Sequence, residues 1–150
     1  MQIYNIVVKK LKLISSLSLF GVVGVSTPLI VTSCDEPTNF HFDYHLENEG
    51  KVAQGNNLIV TNIILYEDDK EYDEYVRTGY KITNTNGEDF WSTKDKDNKI
   101  SEDDFEDNTL TLKVGSEVPK GIYHYYAEAR YDCSGIATKL TSLEFDFEVV

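Results

Sequence analysis

The strongest constraint on the fold of this chain is an alternation of apolar and polar residues that recurs in one segment after another beyond residue 39. It is clearest in "LEFDFEVV" (143–150), "FHFDYHL" (40–46) and "TLTLKV" (109–114). Successive side chains of a β-strand point to opposite faces, so a period of two gives each strand one apolar face to bury. The β-branched run "NLIVTNIILY" (57–66) predicts a further strand that is buried more fully.

Turn signals separate these segments at short intervals. Asn-Gly in "NTNG" (84–87) predicts a hairpin between "YVRTGYKIT" (75–83) and "DFWST" (89–93), and "DCSG" (132–135) predicts the turn between the last two strands. About seven strands result, without a convincing amphipathic helix. The sequence therefore predicts an all-β protein whose two sheets pack as a sandwich.

One acidic segment fits either of two secondary structures. "YEDDKEYDEYV" (66–76) places Tyr72, Tyr75 and Val76 at a spacing that would allow a helical turn. Its shortness and its density of charge favour a loop, because short helices are marginal in water unless packing supports them. The sandwich is expected in both cases.

Charge divides the chain into two physically different parts. Residues 1–33 contain three lysines and no acidic residue, whereas residues 34–150 contain 26 Asp and Glu against 11 Lys and Arg, a formal net charge of −15. A domain this acidic is repelled by nucleic acid and by anionic lipid head groups. Nucleic acid is therefore not expected among its partners.

The N-terminal part has the features of an export signal. A cationic region (1–12) precedes the apolar run "LISSLSLFGVVGVSTPLIV" (13–31), and the sequence Val-Thr-Ser-Cys then ends at Cys34. An aliphatic residue three positions before a cysteine, with a small residue directly before it, resembles the lipobox of bacterial lipoproteins. This resemblance implies that a diacylglycerol is attached to Cys34 and that cleavage makes Cys34 the new N-terminus. The protein would then be lipid-anchored in the bilayer, on the extracellular face of the cell membrane.

The lipobox interpretation divides the chain into a signal peptide (1–33), the lipidated cysteine with a short tether (34–39) and a sandwich domain (40–150). Two alternatives are an uncleaved transmembrane helix, since about 19 apolar residues can just span a bilayer, and a buried structural cysteine. The position of Cys34 directly after the apolar run favours the anchor. Cys133 then has no partner for an intramolecular disulfide, and is either a redox-active thiol or only a small turn residue.

A second resemblance concerns the fold. The segment "NTLTLKVGSEVPKGIYHYYAEARYDCSG" (108–135) is similar to the end of bacterial immunoglobulin-like domains. Gly121 and Tyr123 match the G-x-Y-x-C frame of the immunoglobulin family, and Tyr125 stands where that family has its cysteine. The resemblance implies an immunoglobulin-like β-sandwich that lacks the inter-sheet disulfide and is held by aromatic packing. The predicted core aromatics include Trp91, Tyr123, Tyr125, Phe145 and Phe147.

Two groups of residues have the chemistry of metal ligands. His41, Asp43 and His45 share one face of the first strand and would suit Zn²⁺ or Cu²⁺, although three ligands along a flat strand rarely converge on one ion. The segment 93–104 resembles an EF-hand calcium loop in the spacing of its acidic residues, but it lacks the first acid, the turn glycine and the flanking helices. A solvated surface is the alternative in both places. The candidate ligands of a weak calcium site are Asp95, Asp97 and Asp104, with Thr93 at the first position of the loop.

The acidic stretch "EDDKEYDEY" (67–75) is the candidate binding surface. Its carboxylates would attract a basic protein partner on a host cell or in the envelope, and its tyrosines offer contact area at small entropic cost. No Gly-rich phosphate loop, nucleophile elbow, HExxH or CxxC motif points to catalysis. We therefore expect a membrane-anchored, non-catalytic binding or adhesion module. The alternatives are a structural surface-coat lipoprotein and a small metal-binding or enzymatic lipoprotein. The candidate binding residues are Glu67, Asp68, Asp69, Glu71, Tyr72, Asp73, Glu74 and Tyr75.

Overall fold

The structure is a computed structural model that describes residues 39–133 and 135–150. Strands dominate this part of the chain, which confirms the all-β prediction. Seven of the ten strands are longer than two residues, and six of these seven were predicted from the sequence. The strand Ile100–Glu106 and the short strands Lys51–Val52 and Lys70–Glu71 were not predicted, whereas Trp91–Ser92 lies within the predicted segment 89–93. The described residues include no helix with the length and apolar character needed to cross a membrane. The strands are β1 (Phe40–Leu46), β2 (Lys51–Val52), β3 (Asn57–Glu67), β4 (Lys70–Glu71), β5 (Val76–Asn84), β6 (Trp91–Ser92), β7 (Ile100–Glu106), β8 (Thr109–Val114), β9 (Gly121–Cys133) and β10 (Ile136–Val149).

The strands form two sheets that pack face to face. One sheet has the order β1-β3-β8-β7-β6, with β4 added to the end of β3, and the other has the order β2-β10-β9-β5. All pairs are antiparallel except β2 with β10 and β6 with β7. If β1, β3, β5, β7, β8, β9 and β10 are lettered A to G, the sheets read A-B-E-D and G-F-C, which is the arrangement of an immunoglobulin-like sandwich.

Aromatic side chains fill the centre of the sandwich, as the sequence predicted. Tyr125 stacks on Phe145 with ring centroids 4.7 Å apart, and Tyr123 stacks on Phe147 at 5.7 Å. All four rings are buried, whereas Trp91 is only partly buried at the edge of the core. The Tyr123 hydroxyl donates to the Pro119 carbonyl at 2.7 Å, a contact of the kind that a tyrosine corner makes in immunoglobulin-like domains. Both stacked pairs join β9 to β10 within one sheet, and their rings form part of the buried core between the sheets.

Single-residue bulges change the phase of the alternation in several strands. In β3 the buried positions are Leu58 and Val60 before the bulge but Ile63 and Leu65 after it, because the register with β1 shifts beside Asn62, whose φ is 53°. An extra residue moves every later side chain to the opposite face unless the strand bends to compensate. The segment 57–66, which its β-branched residues predicted to be buried along its length, therefore alternates in two halves that meet at a bulge.

The hairpin predicted at residues 84–87 forms only in part. Gly87 N–H donates to the Asn84 carbonyl at 3.0 Å, and Phe90 N–H reaches the Ile82 carbonyl at 2.7 Å, so the turn exists. Beyond Phe90 the chain leaves β5, and Trp91–Ser92 pairs with β7 in the other sheet. The prediction that 89–93 continues as the partner of β5 is therefore wrong after Phe90. The turn carries the chain from one layer of the sandwich to the other.

Candidate functional site

An open groove of about 550 Å³ lies at one end of the sandwich. We call this the tether end, because β1 begins there: Phe40 pairs with Glu67 at the end of β3. Apolar residues of β3 and β7 form the floor of the groove, and the segment between β4 and β5 forms one wall. The groove is lined by Ile63, Ile64, Leu65, Glu71, Tyr72, Asp73, Tyr75, Val76, Arg77, Tyr80, Phe105 and Asn108.

The wall of the groove is the segment Tyr72–Tyr75, which we call the strap. A tight turn between β3 and β4 sends the chain back, and Tyr72 N–H then donates to the Leu65 carbonyl at 2.8 Å. The ring of Tyr72 packs edge-on against Phe40 at 5.1 Å, and that of Tyr75 packs against Phe42 at 5.6 Å. No helix forms in this segment. The rings of Tyr72 and Tyr75 hold it against β1.

These contacts change the role that the sequence gave to the two tyrosines. Both are partly buried against β1, so the face of each ring that meets phenylalanine is not free for a partner. Burial is also the main reason that the pKa of each hydroxyl lies above its usual value of 10.0. Tyr72 and Tyr75 therefore shape the groove as neutral side chains rather than projecting from a loop.

The carboxylates of the stretch 67–75 remain at the surface. Their side chains are all exposed, and among the described residues none of them forms an ion pair. Together they form a stretch of concentrated negative charge, which we call the acidic rim, and Lys70 is the one cation within that stretch. Glu71 and Asp73 line the groove itself, whereas Asp68 and Asp69 border a separate shallow depression beside β1. The acidic residues of the rim are Glu67, Asp68, Asp69, Glu71, Asp73 and Glu74.

Arg77 is a groove residue that sequence analysis missed. Its side chain is only 6% exposed, and its Nη2 lies 2.8 Å from Oε1 of Glu102 on the facing sheet. The guanidinium carbon sits 3.5 Å from the ring centroid of Phe105, and Nη1 lies 3.2 Å from the Tyr125 hydroxyl. Glu102 thus neutralises this cation inside the sandwich, and the net charge presented by the groove is that of its rim.

Two bulges bring Arg77 into contact with Glu102 and Phe105. The register of β5 shifts at Gly79, whose φ of +66° suits glycine, so Arg77 and Tyr80 can both face inward. The register of β7 shifts in the same way between Glu102 and Asp104. An arginine two residues before a glycine within a predicted strand was the available signal, but the sequence does not reveal which residue the bulge turns inward.

The histidine group on β1 does not form a metal site with the described residues. His41, Asp43 and His45 are exposed on the outer face, and the His41 ring stacks on Tyr66 at 5.4 Å. Among residues 39–133 and 135–150, no three His, Cys, Asp or Glu side chains are grouped so that they could hold an ion. A pleated strand spaces its outward side chains too far apart for three of them to meet at one point.

The segment that resembles an EF-hand loop has a different structure. Asp104 lies within β7, where it pairs with Thr111, so the loop ends before it. Asp95 forms an ion pair with Lys113, and the Asp97 carbonyl accepts from Glu117 N–H at 2.7 Å. The loop is therefore fastened to the β8–β9 connection by protein contacts, and the EF-hand interpretation is wrong in its geometry.

One exposed cluster outside the groove was also missed. On the outer face of the second sheet, His124 Nδ1 lies 2.8 Å from Asp146 Oδ1, and His124 Nε2 lies 3.6 Å from Glu144 Oε2. The register of the β9–β10 hairpin places these residues side by side, but a bulge between Lys139 and Thr141 shifts that register by one residue. Counting back from the turn at 132–135 would therefore have paired His124 with Phe145. The histidine and the two carboxylates lie on an open sheet face, where solvent screens such pairs.

The structure describes the backbone position of only one of the two cysteines. Cys34 and the whole of the apolar N-terminal segment lie outside the described residues, so lipidation stays a prediction. Cys133 is the last residue of β9, next to the turn, and its redox role likewise stays a prediction.

Comparison with models of known protein families gives no match for this chain, and comparison with curated proteins gives none either. The function of the groove therefore has to be argued from its own residues.

Proposed function

We propose that the domain is a non-catalytic binding module, lipid-anchored through Cys34, which binds a basic peptide segment in the groove at the tether end. The observation that carries the proposal is the pairing of an apolar floor with an acidic rim. Ile63, Leu65 and Phe105 line the floor, and the exposed carboxylates of Glu71 and Asp73 line it too, with four more in the same stretch of chain. Lysine and arginine match both features, because their stems are apolar and their head groups are cationic.

Each part of the groove would contribute differently to binding. Apolar contacts with the floor would supply affinity, at about 25 cal/mol per Å² of apolar surface removed from water. The rim would attract the basic segment over a distance of about 8 Å at physiological ionic strength and would disfavour acidic competitors. Binding should therefore weaken as salt rises, without disappearing.

The test uses the purified full chain in a nonionic detergent and a fluorescein-labelled peptide, Lys-Lys-Leu-Leu-Lys-Lys, with anisotropy as the measurement. Val76 stands at the mouth of the groove and is 69% exposed, so Val76→Arg adds a cation there without disturbing the core. Since a like charge about 4 Å away costs a few kcal/mol near a protein surface, we expect affinity to fall about tenfold or more.

Ile122→Arg is the matched control. Ile122 is 52% exposed and lies at the start of β9, eight residues away from the Arg130 that pairs with Val76, and it does not line the groove. It adds the same charge to the protein and should change affinity less than about twofold, because salt screens a charge that lies outside the site. If both variants weaken binding equally, the effect comes from net charge and not from the groove. If the unmodified chain does not bind the peptide, a structural surface-coat role is the better interpretation.

A further inference from the structure

We infer that the basic segment belongs to a protein of the same membrane and lies next to the bilayer, and is not a host component reached from the outward face. This inference rests on the proposed function and on the anchor at Cys34. It comes from where the groove lies in relation to the point at which the chain leads toward that anchor.

The acidic turn of the rim is fastened to the entry point of the chain. Asp68 N–H donates to the Asn39 carbonyl at 3.3 Å, and the Asn39 side-chain amide donates to Asp68 Oδ1 at 3.0 Å. The next residue, Phe40, pairs with Glu67 and packs against Tyr72 of the strap. However the domain tilts on its tether, the rim and the strap therefore stay beside the start of β1.

Covalent geometry limits how far this end can lie from the anchor. Six residue steps separate Cys34 from Phe40, and an extended chain covers at most about 3.5 Å per residue, or about 20 Å in total. The opposite end of the sandwich can extend farther by up to the length of β9, whose 13 residues span about 40 Å. The groove end, by contrast, stays within the reach of the tether at every tilt of the domain.

Electrostatics selects the partner that fits this position. The acidic rim and anionic lipid head groups repel one another within about a Debye length, so the groove should not rest on the bilayer itself. Anionic head groups also concentrate basic segments close to the membrane, at about 1 kcal/mol per lysine or arginine. A basic stretch directly beside a membrane-spanning helix is attracted by the acidic rim and by the anionic bilayer surface. Such a stretch also lies at a distance from the bilayer that the tethered groove can reach.

The test compares two displays of one probe in vesicles of phosphatidylcholine and phosphatidylglycerol that carry the full lipidated chain. In one display, Lys-Lys-Leu-Leu-Lys-Lys directly follows a membrane-spanning helix; in the other, a flexible Gly/Ser spacer of about 40 residues separates them. Energy transfer between a dye on the peptide and a dye at Ile136, substituted by cysteine in a Cys133→Ser background, reports engagement. We expect the juxtamembrane display to engage at least about tenfold more strongly, because its effective concentration at the groove is higher.

Two variants sharpen the outcome. Val76→Arg should weaken engagement of both displays by about tenfold or more, and a Gly/Ser insertion of about 20 residues before Asn39 should shift the preference toward the spaced display. Equal or stronger engagement of the spaced peptide by the unmodified chain would overturn the inference while leaving the proposed function intact. If the free peptide also fails to bind in detergent, the proposed function falls and this inference falls with it.

Discussion

At the scale of single residues, Arg77 has the greatest consequence for stability. It joins β5 to β7 across the sandwich through Glu102, whose side chain is 20% exposed. Removing one partner of such a pair leaves the other charge poorly solvated, which typically costs about 3 to 5 kcal/mol. Because Glu102 keeps some contact with water, we expect Arg77→Met to lower the free energy of unfolding by about 3 kcal/mol. Fluorescence of Trp91, the single tryptophan, can follow urea unfolding of the full chain in detergent.

The double variant Arg77→Met, Glu102→Met separates the charge from the packing. It removes both ions and keeps similar apolar volume, so its loss should be smaller than that of Arg77→Met alone. A double variant at least as unstable as the single one would mean that the guanidinium acts mainly through its contact with Phe105, which lies 3.5 Å away.

At the scale of elements, β1 and the strap behave as one unit. The contact between Phe40 and Tyr72 is one of two aromatic pairs that hold the strap, and such pairs contribute about 0.5 to 1.5 kcal/mol beyond the area they bury. Phe40→Ala should therefore speed amide hydrogen exchange in Tyr72–Tyr75 by about two- to tenfold and leave exchange in β9 unchanged. Mass spectrometry of peptides from the two regions measures both.

His41→Ala is the matched control for this prediction. His41 is the next residue of β1, but its ring stacks on Tyr66 on the outer face and does not touch the strap. Exchange in the strap should be the same as in the unmodified protein. Faster exchange after both substitutions would indicate that β1 frays as a whole, and that the strap has no specific attachment to Phe40.

The elements also mark how far sequence alone predicts this structure. Alternation in "LEFDFEVV" correctly predicted that Leu143, Phe145, Phe147 and Val149 are buried, because the face of a strand is a local property. The bulge beside Asn62 was not predictable, since the register depends on pairing with β1 and on the contact between Ile63 N–H and the Asn108 carbonyl. Local spacing likewise grouped Asp104 with Asp95, although non-local pairing assigns Asp104 to β7.

The candidate site was predicted in charge but not in shape. The stretch 67–75 is acidic and exposed, as its composition indicated. Its tyrosines, however, pack on phenylalanines about thirty residues earlier in the chain, and the floor of the groove comes from β3 and β7. Contacts between segments so distant in sequence leave no local pattern, so only the fold could show that the acidic residues border an apolar groove.

At the scale of the whole molecule, the lipid anchor that we propose at Cys34 would decide where the groove works, so its test concerns the entire chain. Cys34→Ser should leave an uncleaved precursor that takes up no labelled fatty acid, because the serine hydroxyl stays protonated at neutral pH, is a far weaker nucleophile than a thiolate, and has no sulfur with which to form the thioether. Cys133→Ser is the control within the same chain, since it removes the other cysteine, and its labelling and mass shift on maturation should be normal. Labelling that persists in Cys34→Ser, or disappears in Cys133→Ser, would remove the anchor and with it the argument that holds the groove within about 20 Å of a bilayer.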